Sequence, residues 1–300
     1  MSYKSKLYLA LFLVYVVWGS TFMGVKIALE TLPPLLVSGL RFTIGGAILL
    51  LFTLLRGHQL PPRKTFLNSI FLGLLLTGIG NSTYAYAIHY IPSGIVALIG
   101  STLPLWIFGL NYFFFEQIIP SKIAILGIVL GLVGMFYLIN PMEDFGKTIP
   151  IFPMTMIIVG SISWAYGSLS SKNLELPTVK LQNAAFQMLS GGAFGLTMSL
   201  LVEKNQLQAI AESTATTFWA MCYLIFVGTY VAYLAFLWLI DNASPQLAST
   251  YAFINPIVAL ILGWAFLGEL LNFRTVVAAA ITLVGVVLMT MDKKKKIQKL

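Results

Sequence analysis

Residues 18–26 read WGSTFMGVK, and residues 164–172 read WAYGSLSSK. Laid over one another at an offset of 146 they bring Trp18 onto Trp164 and Lys26 onto Lys172, and the same offset places Gly45-Gly46-Ala47 on Gly191-Gly192-Ala193. A register kept over this distance is an internal repeat. With small gaps it runs on, Pro92 falling on Pro245, Pro104 on Pro256, Glu116 on Glu269, and Leu132-Val133-Gly134 on Leu283-Val284-Gly285. The chain therefore reads as two copies, residues 1–146 and 147–300.

The composition says what each copy is made of. Of the 300 residues 58% are apolar and 9% charged, with a mean hydropathy of +0.89, where a water-soluble domain has roughly 45–50% and about 25%. The solvent is lipid. Apolar stretches long enough for a hydrocarbon core of roughly 30 Å recur at residues 7–29, 34–55, 66–88, 92–114, 120–140, 151–171, 181–202, 216–239, 246–267 and 272–291. They are too long for barrel strands and none alternates with period two, so they are helices. Lys4 and Lys6 precede the first one as in a secretory signal, but the run is too long and lacks a small-residue cleavage site. The expected fold is an all-α integral membrane protein with ten transmembrane helices as two five-helix repeats. Five is odd, so the second copy crosses in the opposite sense. Such inverted halves have two near-equivalent packings, one open to each side, and rocking between them carries a central site across the membrane.

Orientation follows from Lys and Arg. With the N-terminus inside, the cytoplasmic flanks hold Lys4, Lys6, Arg56, Arg63, Lys64, Lys122, Lys172, Lys180, Lys293 to Lys296 and Lys299, against Lys26, Arg41, Lys147, Lys204 and Arg274 outside. Positive charge accumulates on the cytoplasmic side, so both termini are expected there, in a cell (inner) membrane. The net charge of +8 is a topology signal and points to no nucleic-acid partner, because five of the eighteen cations lie in the last eight residues. The Lys293 to Lys296 run also suits anionic lipid.

Trp18-Gly19-Ser20-Thr21-Phe22 with Lys26, then Leu40-Arg41-Phe42, the Pro92 to Pro104 segment and Gly268-Glu269 together resemble the EamA-type branch of the drug/metabolite transporter superfamily. The resemblance covers nearly the whole chain. It implies ten helices in two inverted halves and export of amino acids, other metabolites or toxic compounds. The first half departs from the pattern, with Phe115 where a Gly precedes the Glu.

A substrate site in this architecture lies near the midplane. Trp18, Thr102, Trp106, Trp164, Tyr230, Tyr251 and Asn255 fall near the centres of their spans, with Asn81 and Tyr84 somewhat outward on the third. Aromatic faces give apolar contact and attract cations, while amides and hydroxyls fix orientation, which suits an amphipathic or zwitterionic small molecule. Each aromatic is equally suited to packing between helices or to the interfacial belt, as Tyr112 to Phe115 are. Pro104 and Pro256 fall mid-span and form a symmetry-related pair of candidate hinges. Gly127, Gly131 and Gly134 on the fifth span and Ala278 to Ala280 with Gly285 on the tenth mark scaffold or dimer faces.

None of the ten acidic residues lies at mid-membrane, which disfavours a carboxylate proton relay and leaves facilitated diffusion or exchange. Lys26 and Arg41 lie in the outer thirds of their helices. Either meets an anionic substrate group, or they pair with Glu30 and Glu269. Glu116 and Glu269 precede the fifth and tenth helices, where carboxylates complement the dipole. Gly146-Lys147-Thr148 resembles the end of a phosphate loop, but position 141 is Pro and no strand precedes it, so ATP is not expected. His58 and His89 fall on opposite faces, and Cys222 is the one cysteine; no metal, cofactor or catalytic residue is expected. A lipid scramblase or flippase, an intramembrane lipid-modifying enzyme and a structural or sensory subunit are the rival classes. The enzyme lacks a nucleophile with its base.

Overall fold

The structure is a computed structural model that describes residues 2–115, 121–139, 150–243 and 251–290. Glu116, Pro141, Glu143, Asp144, Gly146-Lys147-Thr148, Pro245, Asp292, Lys293 to Lys296 and Lys299 lie outside the described residues. The described residues are helical and contain no strand. In chain order the long helices are α1 (Tyr3–Ala28), α2 (Pro34–Leu55), α3 (Arg63–Tyr90), α4 (Ser93–Phe114), α5 (Lys122–Ile139), α6 (Ile151–Ser170), α7 (Lys180–Val202), α8 (residues 215–242), α9 (Tyr251–Leu267) and α10 (Phe273–Thr290), with a short helix, Gln206–Ala211, between α7 and α8. Among the described residues seven helices, α1 to α4 and α6 to α8, are long and apolar enough to cross a membrane; Lys122–Gly134, Ile254–Leu267 and Phe273–Leu288 are shorter apolar helices. Proline sets two of the starts. Pro34 occupies the first turn of α2, and Pro62 immediately precedes α3, positions where a missing N–H costs nothing.

The chain forms two compact units that draw on both copies of the repeat. One contains Met1–Met23, Ile91–Ile151 and Val231–Leu300, the other Gly24–Tyr90 and Phe152–Tyr230. Helices α1 and α8 each run from one unit into the other, at Met23/Gly24 and Tyr230/Val231.

In the second unit α2 packs along α7, its own counterpart in the repeat. A β-carbon on Gly39 would fall 2.6 Å from Leu196 N, and one on Gly46 would fall 2.8 Å from Leu189 N and 2.9 Å from Ala185 O. As α2 advances from Gly39 to Gly46 its neighbours recede along α7, so the two helices are antiparallel. Helices α3 and α6 do the same: Gly80 lies against Trp164, and Leu76, one turn earlier, lies against Gly167.

In the first unit α5 packs on its counterpart α10. Gly134 lies against Thr282 and Ala278, and Gly285 against Gly131 and Gly127, where a β-carbon on Gly285 would fall 2.6 Å from Gly127 O. These helices are also antiparallel. The small-residue faces expected of a scaffold or a dimer are here turned on each other. Ala10, Leu11 and Val14 of α1 form an apolar core with Ala235 and Leu239 of α8.

Lipid supplies no hydrophobic drive between helices, so this close packing carries the association. Gly46→Leu drives a side chain into the α7 backbone and is expected to cost at least about 2 kcal/mol. Gly109→Ala, with nothing within 4 Å of its added carbon, is expected to be neutral. Melting of the two detergent-purified variants followed by size-exclusion fluorescence checks this; a Gly46→Leu protein as stable as native contradicts the packing.

Candidate functional site

The nine candidate residues divide between the units. Trp18, Thr102, Trp106, Tyr251 and Asn255 belong to the first, and Asn81, Tyr84, Trp164 and Tyr230 to the second.

In the first unit three rings meet. Trp18 lies 5.1 Å from Tyr251 and 5.0 Å from Phe236, which is 5.4 Å from Tyr251, all in tilted or edge-on geometry. Asn255, one turn after Tyr251, anchors the group: with its amide nitrogen facing the carbonyls it donates to Tyr251 O at 3.2 Å and Tyr15 O at 3.1 Å. Phe236 was not among the expected site residues, since a phenylalanine among the apolar residues 234–240 carries no polar group to single it out. Thr102 is buried and its hydroxyl donates to Ile99 O at 2.6 Å. The buried indole nitrogen of Trp106 has no hydrogen-bond partner among the described residues.

In the second unit Tyr84 and Ser161 join hydroxyls at 2.8 Å across α3 and α6. Trp164 stacks its edge on Gly80, where a β-carbon would fall 3.0 Å from the indole, and Ser163 beside it donates to Leu75 O at 2.8 Å. Trp18 and Trp164, equivalent in the repeat, thus sit in equivalent helix pairs: Trp18 of α1 meets Phe236 of α8, and Trp164 of α6 meets α3. Tyr230 donates to Gly45 O of α2.

Among the described residues three helices widen to i→i+5 turns, at Leu13–Val17 in α1, Leu74–Gly80 in α3 and Tyr223–Val231 in α8. Such turns recur at functional sites because they re-aim side chains and loosen the ladder. Trp18 follows the first directly, Asn81 follows the second, and Tyr230 lies in the third. Gly80-Asn81 and Gly228-Thr229 play the same part in α3 and α8: Asn81 Nδ2 donates to Leu76 O at 3.2 Å and Thr229 Oγ1 to Leu224 O at 2.9 Å, each reaching back five residues.

The two prolines differ from the expected symmetric pair. Helix α4 breaks at Ser101-Thr102, and Pro104 sits in the first turn of its second part, Leu103–Phe114, so it is no mid-helix kink. Pro256 lies inside α9 and removes a backbone bond to Ala252 O.

The charges also take other partners than expected. Glu269 reaches back to the start of α4, accepting from Ser93 N at 2.6 Å and Gly94 N at 3.2 Å, while α10 is capped by Asn272, whose Oδ1 accepts from Thr275 N at 2.8 Å. Glu203, after α7, caps α2 in the same way through Leu35 N at 2.8 Å and Leu36 N at 3.1 Å. Lys26, expected near Glu30, donates to Ile88 O at 2.8 Å at the end of α3. Arg41, expected to pair with Glu269, donates from Nε to Thr229 Oγ1 at 3.2 Å.

A profile of the EamA-like transporter family matches residues 5–140 and again residues 151–291. The chain belongs to the EamA-like transporter family. It is 37% identical over 285 residues to "Uncharacterized inner membrane transporter YedA" of Escherichia coli K12, covering 95% of this chain and 90% of that protein. It is 26% identical over 281 residues to "Probable amino-acid metabolite efflux pump" of Salmonella typhimurium LT2, covering 91% of both. A crystal structure 18% identical in sequence covers 96% of both chains with a TM-score of 0.64, a likeness of fold. This EamA protein is accordingly a membrane transporter with two family repeats.

Within it, the two polar aromatics predict costs with different origins. Tyr84→Phe removes a hydroxyl pair and is expected to cost about 1 kcal/mol, whereas Trp106→Phe removes an unpartnered buried donor and is expected to cost less than its lost area implies. Thermal melts of the purified variants decide; a Tyr84→Phe protein that melts with the native one would contradict the assignment of partners.

Proposed function

We propose that this EamA protein is a secondary transporter that exports or exchanges small metabolites, amino acids and amphipathic compounds among them, by alternating access. The observation that carries the reading is the antiparallel packing of repeat counterparts, α2 on α7 and α5 on α10, together with the matching reach of Glu203 and Glu269 from the ends of α7 and α9 to the starts of α2 and α4. Two antiparallel copies packed helix for helix form an arrangement with two equivalent states. The name of the Salmonella relative supports amino-acid metabolites as the substrate class.

On this reading ten helices cross an inner membrane as two inverted five-helix halves, residues 1–146 and 147–300, with both termini in the cytoplasm. Trp18, Asn81, Tyr84, Thr102, Trp106, Trp164, Tyr230, Tyr251 and Asn255 line the substrate path. Rings supply apolar contact, and Trp106 Nε1 supplies a donor to the solute. The wide turns beside Trp18, Asn81 and Tyr230 let these side chains turn without breaking their helices. Neither ATP nor a metal takes part.

Efflux of radiolabelled amino acids and amphipathic drugs from preloaded cells tests this. Native protein is expected to speed efflux, and Trp164→Ala, at equal expression, to lose roughly tenfold. Efflux unchanged by the native protein across the panel contradicts transport, and equal efflux from both removes Trp164 from the path. Of the two prolines, Pro256→Ala restores a helix bond and is expected to slow efflux, while Pro104→Ala, in a first turn, is expected to leave it near native. Native rates from both remove the hinge role.

A further inference from the structure

Arg41 is the eighth residue of α2, roughly 10 Å along the axis from its start at 1.5 Å per residue. A guanidinium at such depth is costly without a counter-charge or water. Its one hydrogen bond among the described residues is from Nε to the neutral hydroxyl of Thr229, and its carbon lies 4.9 Å from the ring centre of Phe42. The side chain is partly exposed, and its Nη groups have no acceptor among the described residues. The carboxylates of the same unit are engaged elsewhere or face solvent: Glu203 holds the start of α2, Glu175 pairs with Lys64 at 2.9 Å, and Glu30 and Glu212 are exposed. Thr229 is held in turn, because its hydroxyl hydrogen goes to Leu224 O and only its lone pairs remain for Arg41.

We propose that Arg41 is an anion-recognition residue, binding a carboxylate of the transported solute through its Nη face while Thr229 fixes the guanidinium. The proposal rests on the transporter reading and adds the substrate's charge to it. A planar fork matches a carboxylate with two parallel hydrogen bonds, and one positive charge neutralises one negative charge in a medium that penalises any remainder. A phosphate dianion would leave a charge over. Thr229 is a positioning residue: it touches the guanidinium and sets which of its edges is left open.

The test titrates the purified full-length protein in detergent with matched probes, benzoate and L-phenylalanine against benzylamine and phenethylamine. Native protein is expected to bind the carboxylates at least roughly tenfold more tightly than the amines. Arg41→Gln is expected to erase the difference, Arg41→Lys to keep part of it, and Thr229→Val to weaken it while leaving the amines unchanged. No carboxylate preference in the native protein, or an unchanged preference in Arg41→Gln, overturns the proposal. If Arg41→Gln elutes as an aggregate, unchanged preference in both Arg41→Lys and Thr229→Val overturns it. Native mass spectra with added phosphatidylglycerol separate the other source of an anion: Arg41-dependent lipid adducts without carboxylate binding make this a headgroup site and overturn the solute reading. Flux of L-phenylalanine into vesicles separates the two levels of argument. Arg41-dependent binding with no native flux keeps the anion site and removes transport.

Discussion

Helices in lipid gain nothing by hiding apolar side chains from one another, because the tails around them are equally apolar, so association must come from contacts closer than lipid can make. Glycines at the crossings supply them. Gly39 and Gly46 let α2 reach the backbone of α7, and Gly285 lets α10 reach that of α5. In each case the partner is the same helix of the other repeat copy. A gene that duplicates a small-residue face creates its own complement, provided the second copy runs in reverse. The repeat and the close packing are therefore one constraint seen twice.

Polar groups follow from that constraint. Two antiparallel counterparts bring the C-terminal end of one beside the N-terminal end of the other, and an acidic residue just past the first meets the free N–H groups of the second. Glu203 and Glu269 do this for α2 and α4. Carboxylates that fix helix ends in this way are anchored by hydrogen bonds to backbone, which suits them to structure better than to carrying protons. Lys26, drawn to the last carbonyls of α3, is the basic counterpart at a C-terminal end.

Much of this was legible because it is written in residue type and spacing. The match of Trp18 with Trp164, the paired glycine triplets and the apolar run lengths needed no coordinates, and the equivalent seats of the two tryptophans follow from them. Other features were not legible, for a physical reason: they depend on contacts between distant segments. Glu269 is adjacent in sequence to α10 yet caps α4, and only the packing of α9 on α4 decides that. Pro104 and Pro256 are equivalent in the repeat and take different places in the fold. Wide turns carry no local signature either, because an extra residue in a helix is held by tertiary partners and by side chains such as Asn81 and Thr229 that satisfy the freed carbonyls. Phe236 was hidden among apolar neighbours, having no polar group of its own.

What remains after these accounts is informative. Many hydroxyls of the described helices return a hydrogen bond to a carbonyl three to five residues back, as Ser20, Thr21, Ser101 and Thr102 do, which is the low-cost solution for a polar side chain in lipid. Trp106 and Arg41 have no such local solution: an indole nitrogen and a guanidinium are held too far from their own backbone to turn back on it. Leucine or phenylalanine at either position would avoid the cost of an unanswered donor. Trp106 Nε1 shares this with Thr43 Oγ1, Ser93 Oγ, Asn272 Nδ2 and Thr282 Oγ1, so an unanswered polar atom is a cost the packing bears at several places, and it is the charge of Arg41, met among the described residues by the Thr229 hydroxyl, that sets that residue apart.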